Sequence, residues 1–115
     1  MELARERADL RDELGTILAQ RNQFADAEAS FGEALRLQPN LEQAHFHLGV
    51  VHLQGQPLDE AAKELGKVVE LASQDAAAHY YLAKTLTAQS RNDEALQELR
   101  KTVALKPDWY ELQIE

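Results

Sequence analysis

The side chains best suited to chemistry in this 115-residue chain are four histidines, His45, His47, His52 and His79. A metal site needs ligands that converge, for example two histidines at i and i+4 on one helix face. His45 and His47 are predicted to point to different faces of one helix, and His45 and His52 lie ~10 Å apart along its axis. No cysteine is present to complete a site. We therefore predict no metal ion and no other cofactor.

Side chains for covalent or acid–base catalysis are scattered along the chain. The three serines are Ser30, Ser73 and Ser90, and none of them lies in a nucleophile elbow. The sequence contains no glycine-rich phosphate-binding loop and no pair of carboxylates at a defined spacing. The absence of cysteine also excludes thiol nucleophiles and disulfides. The sequence therefore predicts a protein that is not an enzyme.

Charge narrows the class of partner. The formal net charge is −8 at pH 7 and the pI is near 4.9. Because a nucleic-acid partner requires Lys and Arg to neutralise its phosphates, we predict no nucleic-acid binding. The first ten residues, MELARERADL, lack the apolar stretch of a signal peptide or membrane span. We predict a cytoplasmic protein that does not bind membranes. If the chain is part of a longer protein, a targeting segment upstream of Met1 is not excluded.

The same residue types recur every 34 residues. The recurring sets are Leu14, Leu48 and Leu82; Gly15, Gly49 and Ala83; Ala27, Ala61 and Ala95; Phe31, Leu65 and Leu99; and Leu37, Leu71 and Leu105. A fixed period of this length is the signature of a stacked structural repeat. We predict one domain, 1–115, that contains three contiguous copies at 8–41, 42–75 and 76–109.

Apolar residues within each copy recur at helical spacing on both sides of a short polar turn. Helices are predicted over 2–20, 24–37, 42–54, 58–71, 76–88 and 92–105. The two helices of each copy form an antiparallel pair. Asn22 in the first turn tolerates the left-handed backbone conformation that reverses the chain. Residues 110–115 either cap the last pair or begin a fourth copy that is cut off.

Helices are predicted to approach each other closely at glycines, because close crossings leave no room for larger side chains. In the first two copies a glycine of the first helix is predicted to lie opposite an alanine of the second, pairing Gly15 with Ala27 and Gly49 with Ala61. Gly32 and Gly66 lie inside second helices, where each costs about 1 kcal/mol relative to Ala. We predict that the following pair approaches their backbone closely.

The order Leu-Gly, then Ala, then Phe or Leu, then a closing Pro, at a spacing of 34, resembles the tetratricopeptide repeat over residues 8–109. The resemblance implies an all-α fold, a right-handed superhelix of three antiparallel helix pairs with a short C-terminal capping helix. The sequence departs from the family where Arg11 and Leu18, His45 and His52, and His79 and Leu86 replace its usual Trp and Tyr, and where Ser73 replaces a closing Pro. We interpret His45 and His79 as packing groups in place of the aromatic residue.

The resemblance also implies that partners bind the concave side, along a stripe of each first helix. The transferred positions are Asp9, Asp12, Thr16 and Ala19; Gln43, Phe46, Val50 and Leu53; and Ala77, Tyr80, Lys84 and Thr87. Independently, Phe46, Val50 and Leu53 form a second apolar stripe on their helix, which one paired helix cannot cover. This stripe suggests a groove for a peptide with hydrophobic anchors. The alternative is that side chains of the neighbouring helices cover it.

Some chaperone-binding members of the family hold a C-terminal carboxylate with Lys, Asn and Arg. The corresponding positions here include Asp12, Thr16, His47, Ala77 and Tyr81, so the resemblance implies that this clamp is absent. Asp9 and Asp12 would instead suit Lys or Arg of a ligand.

Three functional interpretations follow from these patterns. The first is a non-catalytic module that binds a peptide segment of another protein in the concave groove. The second is a self-association scaffold, in which the same stripe or the edge formed by Leu3, Leu10 and Ile17 contacts another copy. The third is the interaction arm of a larger multidomain protein.

Overall fold

A computed structural model describes residues 2–55 and 57–107, and this part of the chain is entirely helical apart from turns. The helices are α1 (Glu2–Gln20), α2 (Phe24–Leu37), α3 (Glu42–Gly55), α4 (Leu58–Leu71), α5 (Ala76–Ala88) and α6 (Asn92–Leu105). The predicted helices are confirmed, with α3 one residue longer than expected. The capping segment predicted at 110–115 lies outside the described residues. Among the described helices, none is long and apolar enough to cross a membrane.

The turns within the first and third pairs share one backbone geometry. Asn22 and Ser90 both have φ of 63°, in the left-handed region, which confirms the prediction for Asn22. Beside them, the amide of Gln23 donates to the carbonyl of Leu18 over 2.9 Å, and the amide of Arg91 donates to that of Leu86 over 2.8 Å. These bonds satisfy carbonyls that the end of a helix leaves unpaired.

Replacing Ser90 by glycine is expected to raise the free energy of unfolding by about 0.5 to 1 kcal/mol, because Ser90 is held in a left-handed conformation that costs a residue with a Cβ more than glycine. Urea denaturation of the two proteins measures the difference. Asn22→Gly is the matched control and is expected to change stability less, since asparagine tolerates this conformation. A destabilised Ser90→Gly protein would contradict the assignment.

The helices stack as pairs, and the stack curves toward the first helix of each pair. α1 packs on α2, α3 on α4 and α5 on α6, while α2 contacts α3 and α4 contacts α5. The first helices also contact each other, α1 with α3 and α3 with α5, whereas within the described residues the second helices do not. The row of α1, α3 and α5 is therefore the inner, concave side of a body of 39 × 27 × 23 Å.

The core is a line of contacts between successive pairs. One buried cluster joins Ala27 and Phe31 of α2 to Leu48 and Val51 of α3. A second cluster joins Ala8, Ala34, Leu41 and Ala44. Each helix thus buries its apolar face only when the next pair is in place, as expected of a repeat protein.

Two glycines of the inner helices lie at close contacts, as predicted, but against other residues. A Cβ built on Gly15 would lie 2.6 Å from Cε1 of Phe31, and one built on Gly49 would lie 2.7 Å from Cγ of Leu65. The nearest atoms thus belong to the large side chains one helical turn beyond Ala27 and Ala61. The glycines make room for these side chains, which are fully buried.

The prediction of close backbone approach at Gly32 and Gly66 is wrong. A Cβ built on either glycine meets no other atom within 4 Å. Gly32 is exposed and Gly66 is half-buried, and nothing in the described structure requires the absence of a side chain at either position. The structure gives no physical reason for these two glycines.

Both ring nitrogens of His79 on α5 are hydrogen-bonded, one to the second helix of its own pair and the other to the loop before that pair. Its Nδ1 lies 2.7 Å from Oε1 of Glu98 on α6, and its Nε2 lies 2.9 Å from the main-chain oxygen of Ser73. The middle pair repeats this arrangement with 2.7 Å at each nitrogen, through His45, Glu64 and the carbonyl of Pro39. These histidines therefore connect helices by hydrogen bonds, a role that the interpretation as packing groups missed.

Candidate functional site

An apolar pocket opens on the concave side between α1 and α3, beside α5. Its volume is about 240 Å³, slightly below the ~300 to 1000 Å³ of a small-molecule site. The residues that line it are Thr16, Ala19, Gln20, Phe31, Phe46, His47, Val50, Val51, Gln54 and Tyr81. Most of this lining is apolar or aromatic, so the pocket suits an apolar side chain.

A row of rings runs from the floor of this pocket toward α5. Its ring centroids are separated by 5.5 Å between Phe31 and His47, 5.7 Å between His47 and Phe46, 5.6 Å between Phe46 and Tyr81, and 5.4 Å between Tyr81 and Tyr80. Aromatic pairs attract each other at these separations, preferring edge-to-face arrangements such as that of Phe46 and Tyr81. The row joins three helices and fixes the shape of the groove.

Lys84 ends the row on α5. Its ammonium nitrogen lies 5.5 Å from the ring centroid of Tyr80 and 5.6 Å from that of Tyr81. A cation within about 6 Å of an aromatic face is attracted by the ring. Lys84 is exposed, so this end of the groove presents a positive charge to solvent.

The opposite end of the groove is acidic. A depression between α1 and α3 is lined by Glu6, Asp9, Leu10, Asp12, Glu13 and Gln43. The side-chain amide of Gln43 donates to Oδ1 of Asp9 over 3.2 Å. Asp12 is only 5% exposed, and its Oδ1 lies 2.9 Å from Nδ1 of His47. Asp9, Glu6 and Glu13 are therefore the carboxylates that solvent reaches most easily.

The predicted contact residues divide into four groups in the structure. Thr16, Phe46 and Val50, with Ala19, line the apolar pocket, and Asp9, Asp12 and Gln43 line the acidic depression. Tyr80 and Lys84 adjoin the pocket through Tyr81. Leu53, Ala77 and Thr87 line neither, and the hydroxyl of Thr87 donates to the carbonyl of Ala83. The apolar stripe is half-buried, so neighbouring side chains cover part of it and leave the pocket open.

His47 and Tyr81 line the pocket but were not among the predicted contact residues. They occupy equivalent positions 34 residues apart, which is a signal that the sequence contains. From the sequence, their residue types indicated only that a carboxylate clamp is absent. Their ring contacts now place both beside Phe46.

Each histidine of the chain is paired with a carboxylate from another helix. Besides the pairs described above, Nε2 of His52 on α3 contacts Oε2 of Glu28 on α2. Within the described residues, no three side chains of the metal-binding types come together. The histidines act as links between helices, and the absence of a metal site stays a prediction.

Two matches to a known family cover most of the chain. A family model described as tetratricopeptide repeat matches residues 13–75, and a second of the same description matches residues 54–113. The chain belongs to the tetratricopeptide repeat family. The tetratricopeptide repeat is generally a non-catalytic fold for protein interaction, so the matches place this chain among protein-interaction modules.

Several solved structures share this fold. The second tetratricopeptide repeat domain of Spaghetti (RPAP3), bound to the HSP90 peptide SRMEEVD, has a TM-score of 0.87 at 15% identity, and the match covers 92% of this chain and 100% of that one. MamA has a TM-score of 0.84 at 22% identity and covers 87% of this chain. YrrB, described as having an unusual peptide-binding site, has a TM-score of 0.83 at 29% identity and covers 89%.

The chain spans 58% of the length of MamA and 53% of that of YrrB. No curated protein matches it.

Proposed function

We propose that this protein is a non-catalytic module that binds a segment of a partner protein in the concave groove formed by α1, α3 and α5. The observation that supports this most is the open apolar pocket between α1 and α3, from which the aromatic row extends toward α5. A concave apolar site with a few polar groups at its edges is the usual form of a binding site. Peptide-bound members of the same fold support the class of ligand.

The charges at the two ends of the groove determine which peptides fit best. An apolar side chain of the ligand occupies the pocket between Thr16, Phe46 and Val50. A lysine or arginine of the ligand then lies beside Asp9 in the acidic depression, where opposite charges attract. A C-terminal carboxylate at this end would meet acidic side chains, so we propose that the ligand is not held by a carboxylate clamp.

Replacing Phe46 by alanine is expected to weaken peptide binding at least about tenfold, equivalent to about 1.4 kcal/mol. The probe is a peptide selected from a random-sequence display library on the immobilised protein, and titration calorimetry measures its affinity. Val50→Thr puts a hydroxyl group into the pocket with little change in side-chain volume, and it is also expected to weaken binding. Circular dichroism checks that both variants remain folded.

Lys63→Ala is the matched control, because Lys63 is exposed on α4, outside the groove. Its affinity for the selected peptide is expected to equal that of the parent. Equal binding by the parent, Phe46→Ala and Val50→Thr proteins, or a loss caused by Lys63→Ala, would rule out the pocket as the binding site.

A further inference from the structure

The first helix carries an apolar stripe that no described residue covers. Leu3, Leu10, Leu14 and Ile17 are 64%, 65%, 45% and 53% exposed. Their spacing of seven, four and three residues places them on one face of α1. Buried large apolar residues are usual, whereas a contiguous exposed row of them marks an interaction surface. None of these four residues lines the apolar pocket, which α1 lines with Thr16 and Ala19, and Leu10 borders the acidic depression.

The later copies show what covers the same positions. The residues 34 positions after Leu10, Leu14 and Ile17 are Ala44, Leu48 and Val51, and all three are buried in α3. They lie in the two clusters that include Ala27, Phe31 and Ala34 of α2. One copy further on, Ala78 and Thr85 of α5 are fully buried, and α4 packs on that helix. The exposed stripe is thus the surface on which the second helix of a preceding pair packs.

The chain itself contains a helix of the matching kind at its other end. Ala95, Leu99 and Thr102 of α6 stand 68 residues after Ala27, Phe31 and Ala34 of α2. Leu96 on α6 is 47% exposed. Leu96 is equivalent to Glu28, the α2 residue that contacts His52 on α3. The side of α6 that carries Leu96 therefore corresponds to the side of α2 that packs on the next pair.

We propose that copies of this chain stack head to tail, with α6 of one copy packed on the exposed stripe of α1 in the next. The contact repeats between molecules the packing that α2 makes with α3 inside one molecule. Such an interface joins two different surfaces, so assembly continues at both ends and forms chains of variable length. It leaves the concave pocket of each copy open.

Sedimentation velocity of the full chain, over a wide range of protein concentration, tests this proposal. The average mass of the parent is expected to rise continuously above the 12.9 kDa of one chain as concentration increases. Leu14→Glu places a charge in the acceptor surface. Leu96→Glu places a carboxylate opposite Leu18, the α1 residue equivalent to His52, and Leu18 cannot bond it as His52 bonds Glu28. Each variant alone is expected to stay monomeric, and Lys63→Glu, a charge change on exposed α4 surface, is expected to assemble like the parent.

Mixing the two blocked variants gives the decisive result. Leu14→Glu keeps an intact α6 surface and Leu96→Glu keeps an intact α1 surface, so the equimolar mixture is expected to form a dimer of one copy each and nothing larger. A parent that is monomeric at every concentration overturns the proposal. So does a Leu96→Glu protein that still assembles, because it would indicate pairing of α1 with α1, and so does a mixture that stays monomeric.

Discussion

Replacing His79 by phenylalanine is expected to lower the free energy of unfolding by about 2 to 4 kcal/mol, because it leaves a buried carboxylate and a carbonyl without their partner. Phenylalanine keeps an aromatic ring but has neither nitrogen. Glu98, which faces Nδ1 of His79, is largely buried. Glu98 also lies near Lys101, whose ammonium is 3.6 Å from its Oε2. Urea denaturation measures the loss.

The same substitution in a Glu98→Leu background separates hydrogen bonding from packing. If the hydrogen bonds provide the stability, His79→Phe is expected to cost less than half as much when the carboxylate is already absent, so the two changes are not additive. If His79 were chiefly a packing group, His79→Phe would be close to neutral in both backgrounds. That outcome would contradict the role assigned to the ring nitrogens.

Replacing Gly49 by alanine is expected to lower the free energy of unfolding by about 1 to 3 kcal/mol through overpacking. The added Cβ would lie 2.7 Å from Cγ and 3.0 Å from Cδ2 of Leu65, a fully buried side chain. Protein interiors are close-packed, so Leu65 cannot move away without displacing its own neighbours. Urea denaturation again gives the measurement.

Gly66→Ala is the matched control, since it makes the same chemical change inside a helix, at a position where the added Cβ would have no atom beyond the nearby helix backbone within 4 Å. It is expected to raise the free energy of unfolding by about 1 kcal/mol, because alanine favours the helix more than glycine does. The two substitutions should thus change the free energy of unfolding in opposite directions. A stabilised Gly49→Ala protein would show that α3 does not cross α4 at this glycine.

The helices and their pairing could be predicted from the sequence because both depend on local patterns. The 34-residue period and the 3.6-residue apolar spacing give the helix bounds, and the short turns give the pairing. The predicted contact partners of Gly15 and Gly49 were Ala27 and Ala61. Each lies one helical turn before the observed partner, Phe31 or Leu65. A contact of that kind depends on how each helix is rotated about its axis, which the period does not specify.

The sequence contains a signal for two of the four histidine links. A glutamate lies 19 residues after the histidine both in the pair His45 with Glu64 and in the pair His79 with Glu98. The first copy has Arg11 and Ser30 at these positions and lacks the pair. This hydrogen bond between helices can therefore be recognised in the sequence only when the histidine position and the glutamate position of each copy are compared together.

The apolar pocket could be predicted only in part, because its walls come from several helices. The stripe of Phe46 and Val50 on α3 follows from helical spacing within one segment. Thr16 entered the prediction only through the family resemblance. Tyr81 closes the pocket from α5, and its contact with Phe46 depends on how two successive pairs stack. Periodicity within one helix carries no information about that distance.

The most direct test of the concave groove is amide chemical-shift mapping of the isotope-labelled protein as the selected peptide is added. We expect the largest shifts at Thr16, Phe46, Val50 and Tyr81, which surround the pocket. Shifts confined to α2, α4 and α6, at peptide concentrations that saturate binding, would contradict binding in the concave groove.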